Sequence, residues 1–323
     1  MTAIMLRRHG GPEELAPDTI DVGEPGPGQV LVDVRYAGVN FMDTGVRSGT
    51  LWRDRTPPFV PGVEGSGVVA AVGAGVTDLK SGDRVAWVYA PGSYASRLIA
   101  PAPALVPIPG DIADDVAAAA MMQGLTASHI ATRFYATQAG DIALIHAAAG
   151  GLGSLLTGLV KMRGGTVIGR VSSEGKVAAA RRAGADHVIV DVEGNFAKRV
   201  ADLTDGKGVN VVFDGSGATT FEDSLASLRP LGTLAYFGPV LGAPPPINVA
   251  TLKKSVKVGF PIFSDSLSTR EDLLARSSEL FEWIRSGALK IVIGNVYPLS
   301  EAAQAHADLE SRATVGKLLL RVS

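Results

Sequence analysis

Residues 142–163 read IALIHAAAGGLGSLLTGLVKMR, and no other stretch constrains the chain so tightly. It opens with an apolar run too short for a helix and rich in β-branched residues, the pattern of a buried strand. Ala149-Gly150-Gly151-Leu152-Gly153 follows as a glycine turn, then an apolar-periodic segment of helical length. Strand, turn and helix in that order make the phosphate-binding turn of a dinucleotide fold. Amides at the helix start and the positive end of its dipole face a pyrophosphate, and glycine lets the backbone come close. The spacing departs from G-x-G-x-x-G, because counting back from Gly153 gives Gly150 and then Ala148. A plain tight turn would look the same in isolation, so the surrounding pattern has to decide.

That pattern is an alternation. Strand Ile142–His146, helix Leu152–Arg163, strand Thr166–Val171, helix Lys176–Ala183 and strand His187–Val190 are predicted in succession. A helix near Phe196–Leu203, strand Val209–Asp214, helix Thr219–Leu228 and strand Thr233–Phe237 continue it. Such alternation implies a parallel sheet with helices on both faces. The first hundred residues read differently. Strands Val30–Tyr36, Gly65–Val72 and Arg84–Tyr89 are broken by Gly and Pro turns, with no crossover helices. Val116–Met122 and Leu125–Tyr135 should be helices linking the two regions. Near the end come an amphipathic helix over Arg270–Ser286, a helix over Ser300–Glu310 with Ser300 as N-cap, and a strand over Gly316–Val322. The expected fold class is α/β, a doubly wound parallel sheet over 122–289 plus a β-rich module over 1–121 that residues 290–323 complete.

Composition removes several function classes. The chain has 323 residues and a net charge of −2, so no polyanion or anionic membrane partner is indicated. It contains no cysteine, which excludes disulfides, thiolate nucleophiles and thiolate-held metal. Its five histidines, at 9, 129, 146, 187 and 306, show no paired ligand spacing. No run approaches the ~20 apolar residues of a membrane span, and a cytoplasmic protein is the expectation.

The order of β-rich module, GVEGSGVV at Gly62–Val69 and nucleotide fold resembles the medium-chain dehydrogenase/reductase superfamily. Within it, HAAAGGLG at His146–Gly153, AGVNFMDTGVRSG at Ala37–Gly49 and ESRATVGKLLL at Glu310–Leu320 are similar to the zinc-free, zeta-crystallin-like quinone oxidoreductases. The resemblance spans essentially the whole chain. It implies a GroES-like module, a Rossmann module, a cleft between them and NADPH-dependent reduction of quinones. Zinc alcohol dehydrogenases of the superfamily carry a cysteine in the segment matching Asn40 and a histidine in Gly-His-Glu; here the latter reads Gly62-Val63-Glu64.

Cofactor choice turns on the end of the second strand. An NAD site places a carboxylate there, whereas this chain has Ser172 and Ser173, then Glu174 and Lys176. Hydroxyls and a cation suit a 2′-phosphate, and Ser172 and Lys176 match the family's NADPH contacts; a solvated lysine is the bland alternative. Asp191 stands where relatives often carry tyrosine and would repel a phosphate unless Arg170, Lys176 or Arg312 intervenes. Arg312 matches a cofactor contact, Ser216 is a contact candidate, and Phe237 and Gly238 should touch ribose and nicotinamide. By resemblance Asn40, Asp43 and Thr126 border the nicotinamide end, with Asn40 donating to a carbonyl oxygen; turn and cap roles for Asn40 and Asp43 stay open. Gly45 replaces a tyrosine of some relatives and should widen the pocket. Phe260–Phe263 is either an apolar lip or core. The expected partners are a small-molecule quinone or activated alkene and a second copy of the chain, apolar edges at Ala235–Val240 and Val256–Phe260 suggesting a homodimer. An enoyl or alkenal reductase and a non-catalytic NADPH-binding protein are the alternatives.

Overall fold

The structure is a computed structural model that describes residues 1–240 and 242–322. In chain order the strands and helices are β1 (Thr2–Leu6), β2 (Leu15–Thr19), β3 (Gln29–Val39), α1 (Phe41–Ser48), β4 (Glu64–Val72), β5 (Arg84–Val88), β6 (Arg97–Pro101), β7 (Leu105–Pro107) and α2 (Asp114–His129). Then follow β8 (Ile142–Ile145), α3 (Gly151–Met162), β9 (Thr166–Val171), α4 (Val177–Ala183), β10 (His187–Val190), α5 (Ala197–Leu203), β11 (Val209–Asp214), α6 (Phe221–Ser227), β12 (Leu228–Tyr236) and β13 (Lys257–Gly259). The chain closes with α7 (Arg270–Arg285), β14 (Ile293–Pro298), α8 (Ala302–Ser311) and β15 (Lys317–Arg321). It divides into two compact units, one of residues 1–123, 268–285 and 291–323 and another of 124–267 and 286–290.

In the second unit six strands pair in parallel in the order β10-β9-β8-β11-β12-β13. Numbered along the chain, this is the 3-2-1-4-5-6 order of a dinucleotide-binding sheet. The order reverses between β8 and β11, so the crevice of the fold lies at the carboxyl ends of those strands. Leu144, Ile168, Val212 and Leu234, all buried, come from four strands and meet Phe196, Val200 and Phe221 in one core. The runs are apolar at nearly every position because both faces are covered.

In the first unit seven strands form a mostly antiparallel sheet, β14-β15-β3-β4-β5-β7 with β6 also on β3. β15 pairs with β3 at Leu318–Val39, which is how the C-terminal residues complete this module. Helix α7 groups with this unit, earlier than the expected boundary at 290. Arg270 explains it: its guanidinium donates to the carbonyls of Ala102, Pro103 and Leu105 and pairs with Asp78 at 2.6 Å. Among the described residues no helix is long and apolar enough to cross a membrane.

Four local expectations are corrected. Helix α1 lies inside a stretch read as strands and turns, because Gly45 and the β-branched Thr44 and Val46 masked its eight residues. The two linking helices are one, α2, followed by a π-turn over Ile130–Phe134; Gly124 does not break it. β12 starts at Leu228, five residues before the expected strand. Ser300 is not an N-cap but lies in a 3₁₀ turn, Leu299–Glu301, and Glu301 caps α8.

Leu144 is fully buried in β8. Leu144→Ala should cost about 2–5 kcal/mol, read as a lower denaturant midpoint with unchanged slope for the transition of the second unit.

Candidate active site

The turn after β8 is built by backbone approach. A Cβ on Gly153 would lie 2.2 Å from the carbonyl oxygen of Ala147, so only glycine lets the first turn of α3 rest on the turn before it. The Gly150 amide donates to the same carbonyl at 2.8 Å. Gly150 is the N-cap and offers no side chain to the helix. The amides of Gly151, Leu152 and Gly153 therefore stand at the helix start, where no intrahelical acceptor exists. They sit beside the strand reversal, and this cradle fits a pyrophosphate. Ala149 is buried in the approach to it.

The end of β9 brings Ser172 and Lys176 together, with Lys176 Nζ donating to Ser172 Oγ at 3.3 Å. Glu174 is exposed. Asp191 does not face the pair as a bare charge. Arg170 binds its Oδ2 through Nε and NH2, both at 2.7 Å, and the Gly194 and Asn195 amides donate at 3.0 and 3.1 Å. Burial alone would raise this carboxyl, but the Arg170 hydrogen bond, the amides and the guanidinium charge hold it below its ordinary value.

At the end of β11 the Asp214 carboxylate, fully buried, collects donors from its own loop: Ser216 N at 2.8 Å, Gly217 N at 3.3 Å, Thr220 Oγ1 at 2.9 Å and Ser224 Oγ at 2.7 Å. Since Ser224 donates to Asp214, it accepts from His146 Nε2 at 2.9 Å, which fixes the proton on Nε2. Burial pulls His146 down to about 4, the Asp214 charge opposing and the Arg170 charge assisting. Ser216 is thus held by Asp214, and Phe237 N bonds the Asp214 carbonyl at 2.9 Å, placing Phe237 and Gly238 beside the same loop. Thr126 lies on α2 within the second unit. Phe263 belongs to the core, while Phe260 and Ile262 are about half exposed, so the apolar lip and the core reading each claim part of that segment.

Asn40, Asp43 and Arg312 fall in the first unit. Arg312 ends α8 in the left-handed region at φ 57°. Asn40 is the N-cap of α1, and its amide donates to Asp43 Oδ2 at 2.9 Å. The capping role is real, and the side chains do more. Asn40 Nδ2 donates to Glu64 Oε2 at 2.9 Å, Lys317 Nζ lies 2.6 Å from both Asn40 Oδ1 and Glu64 Oε2, and Glu64 Oε1 accepts from Met122 N at 2.6 Å.

A second chain of bonds ends on Asp43. Arg47, which can only donate, gives NH1 to His306 Nδ1 at 3.3 Å. His306 Nε2 then donates to Tyr94 OH at 3.0 Å, and Tyr94 donates to Asp43 Oδ2 at 3.2 Å. Arg47 is itself bound to Glu310 at 2.7 Å. Burial pushes Asp43 up to about 7 against the lowering pull of the Asn40 amide, Lys317 and Tyr94. Burial, helped by Arg47, takes His306 down to about 3.

Sequence reasoning missed Glu64, Lys317, Tyr94, His306 and Arg47. The available signal was a charged residue at the head of each of two apolar strands, EGSGVV and KLLL. Gly45 also needs correction. Leu51 lies across it, and a Cβ there would come 2.7 Å from Leu51 Cδ1, so the expected widening is taken up by Leu51.

The family description "Alcohol dehydrogenase GroES-like domain" matches residues 26–110, and "Zinc-binding dehydrogenase" matches 183–320. The quinone oxidoreductase of Pseudomonas aeruginosa is 40% identical over 98% of each chain. The chain belongs to the quinone oxidoreductase branch of the medium-chain dehydrogenase/reductase superfamily. The Escherichia coli quinone oxidoreductase complexed with NADPH superposes on it with a TM-score of 0.95 at 37% identity, covering 100% of both. A 2-haloacrylate reductase of a Burkholderia species is 37% identical over 98% of each chain.

Among the described residues the zinc in one of those descriptions finds no donor set. The chain has no cysteine, residues 62–64 read Gly62-Val63-Glu64, and Glu64 is held by Lys317. Among the described residues no group of three or more His, Cys, Asp or Glu is placed to hold a metal ion.

The buried titrating groups set the acid response. His146 and His306 are neutral in the fold at pH values where the unfolded chain protonates them, so their contribution is lost as pH falls below 6.5. Asp43 has the opposite sign: the fold keeps its proton, so acidification toward 4 gains stability. Two losses against one gain should lower the melting temperature between pH 6.5 and 4.5. Asp43→Asn, which removes the gain, should steepen that fall in a melting series across the same pH range.

Proposed function

We propose that the protein is an NADPH-dependent oxidoreductase that reduces quinones: a quinone, a hydride and a solvent proton give the hydroquinone. The carrying observation is the Ser172–Lys176 pair at the end of β9, a hydroxyl and an ammonium where an NAD site holds a carboxylate. The NADPH-bound E. coli relative supports the same cofactor. The amides of Gly151, Leu152 and Gly153 hold the pyrophosphate with Ala149 and Gly150 shaping the turn, and Ser172 and Lys176 hold the 2′-phosphate. Ser216, Phe237, Gly238 and Arg312 contact the rest of the dinucleotide, and Asn40, Asp43 and Thr126 attend the acceptor.

Bound NADPH supplies the hydride. What the chain adds is position and a hydrogen bond to the oxygen that gains charge, which suffices for an acceptor whose product is stabilised by aromatic delocalisation. A second reading, reduction of an activated C=C bond, is favoured by the 2-haloacrylate reductase relative. Initial rates of NADPH oxidation with 1,4-benzoquinone, 9,10-phenanthrenequinone, trans-2-hexenal and 2-chloroacrylate separate the two. Quinone turnover with little alkene turnover is expected; alkene turnover alone would replace the first reading by the second. Lys176→Ala should raise KM for NADPH about ten- to a hundred-fold, the worth of a charge-assisted contact, and leave KM for NADH and kcat unchanged.

The reading includes a homodimer. Among the described residues β13 has β12 as its one strand neighbour, and Val258, Phe260 and Ile262 on and after it are exposed, as are Val240, Ile247 and Val249. An open, apolar strand edge of this kind invites pairing with a copy of itself. Light scattering should give twice the chain mass, and Phe260→Asp should shift the population to monomer.

A further inference from the structure

Three neighbouring strands of the first unit bring one buried ion pair onto the Asn40 carboxamide. Asn40 follows the end of β3, Glu64 opens β4 and Lys317 opens β15; β3 pairs with both of the others. The Lys317 and Glu64 side chains are 1% and 0% exposed. Room for the carboxylate is made by Gly38, where a Cβ would lie 2.2 Å from Glu64 Oε2. The geometry leaves the carboxamide no choice of orientation. An ammonium only donates and a carboxylate only accepts, so Oδ1 must face Lys317 and Nδ2 must face Glu64.

A buried ion pair is a poor way to stabilise a sheet. Apolar residues of similar volume commonly do as well or better, because desolvation offsets the attraction. What the pair does here is electronic and geometric. The ammonium on Oδ1 draws charge from the amide and strengthens its N–H donors. One of the two Nδ2 hydrogens goes to Glu64; among the described residues the second has no acceptor.

We propose that Lys317 is a positioning residue for quinone reduction, holding and polarising the Asn40 carboxamide so that its second N–H donates to the quinone oxygen that gains charge. Asn40 gives a hydrogen bond and no proton; the proton that completes the hydroquinone comes from solvent. The proposal rests on the quinone reductase reading above, whose own failure would show separately, as no quinone turnover by the unaltered enzyme.

Lys317→Met alone strands a buried carboxylate and puts folding at risk, so the informative variant is the neutral pair Glu64→Gln/Lys317→Met. It should melt near the unaltered enzyme and bind NADPH within about two-fold by fluorescence titration, yet lose about ten-fold or more in kcat. The loss should grow along a series of quinones of falling reduction potential, a trend that a purely structural role would not produce. Lys317→Arg, which keeps the charge, should recover most of the rate. In an Asn40→Ala background the neutral pair should cost nothing further, since Lys317 acts through Asn40. A neutral pair with full kcat, or losses that multiply in the Asn40→Ala background, would overturn the proposal. Should the neutral pair not fold, Lys317→Arg decides: it must lower kcat somewhat when Asn40 is present and leave it unchanged when Asn40 is alanine, and any other result refutes the role.

Discussion

Backbone amides at the start of α3, which take no side-chain cap, are the constraint on which the second unit depends. Helix α3 needs acceptors for its first N–H groups, and the turn before it supplies none from a side chain. Gly153 pressed on the Ala147 carbonyl fixes how near that helix start comes to the end of β8. The parallel sheet then places the unsatisfied amides at its point of reversal, beside the loop that Asp214 organises. Each layer answers the one below it: close backbone approach, helix start, strand order.

The first unit solves a different problem. It buries Lys317, Glu64, Arg47, Asp43 and His306, and it keeps them buried by satisfying each with a directed partner. The series from Arg47 through His306 and Tyr94 to Asp43 donates in one direction throughout, so a cation near Glu310 is felt at the head of α1 through two neutral groups. Sequence-distant elements, α8 and β15, thereby set the electrostatics around Asn40 and Asp43.

Much of this was legible in the residues, and what was not has physical causes. The alternation from Ile142 to Tyr236 was readable because buried parallel strands are apolar throughout and their helices carry a distinct period. Ser172 and Lys176 drew notice because their chemistry differs so sharply from a carboxylate, and the fold brings the two within hydrogen-bond distance. Helix α1 was not, since Gly45, Thr44 and Val46 lower its intrinsic preference and its cap, Asn40, is as common in turns. The Lys317–Glu64–Asn40 group was unreadable in kind: its members are up to 277 residues apart, and only strand register brings them together. For Asp191 the residues left three possible neutralising partners, Arg170, Lys176 and Arg312, and strand register selects Arg170, on the neighbouring strand.

Leu51 lying over Gly45 couples the two positions. A bulky residue at 45 collides with Leu51 Cδ1 and Cγ, whereas a smaller residue at 51 meets no such obstacle. A larger residue at 45 therefore requires the Leu51 side chain, which is half exposed, to swing aside or be shortened. Positions 45 and 51 thus act as one steric unit, in which the residue at 51 sets how much room 45 has.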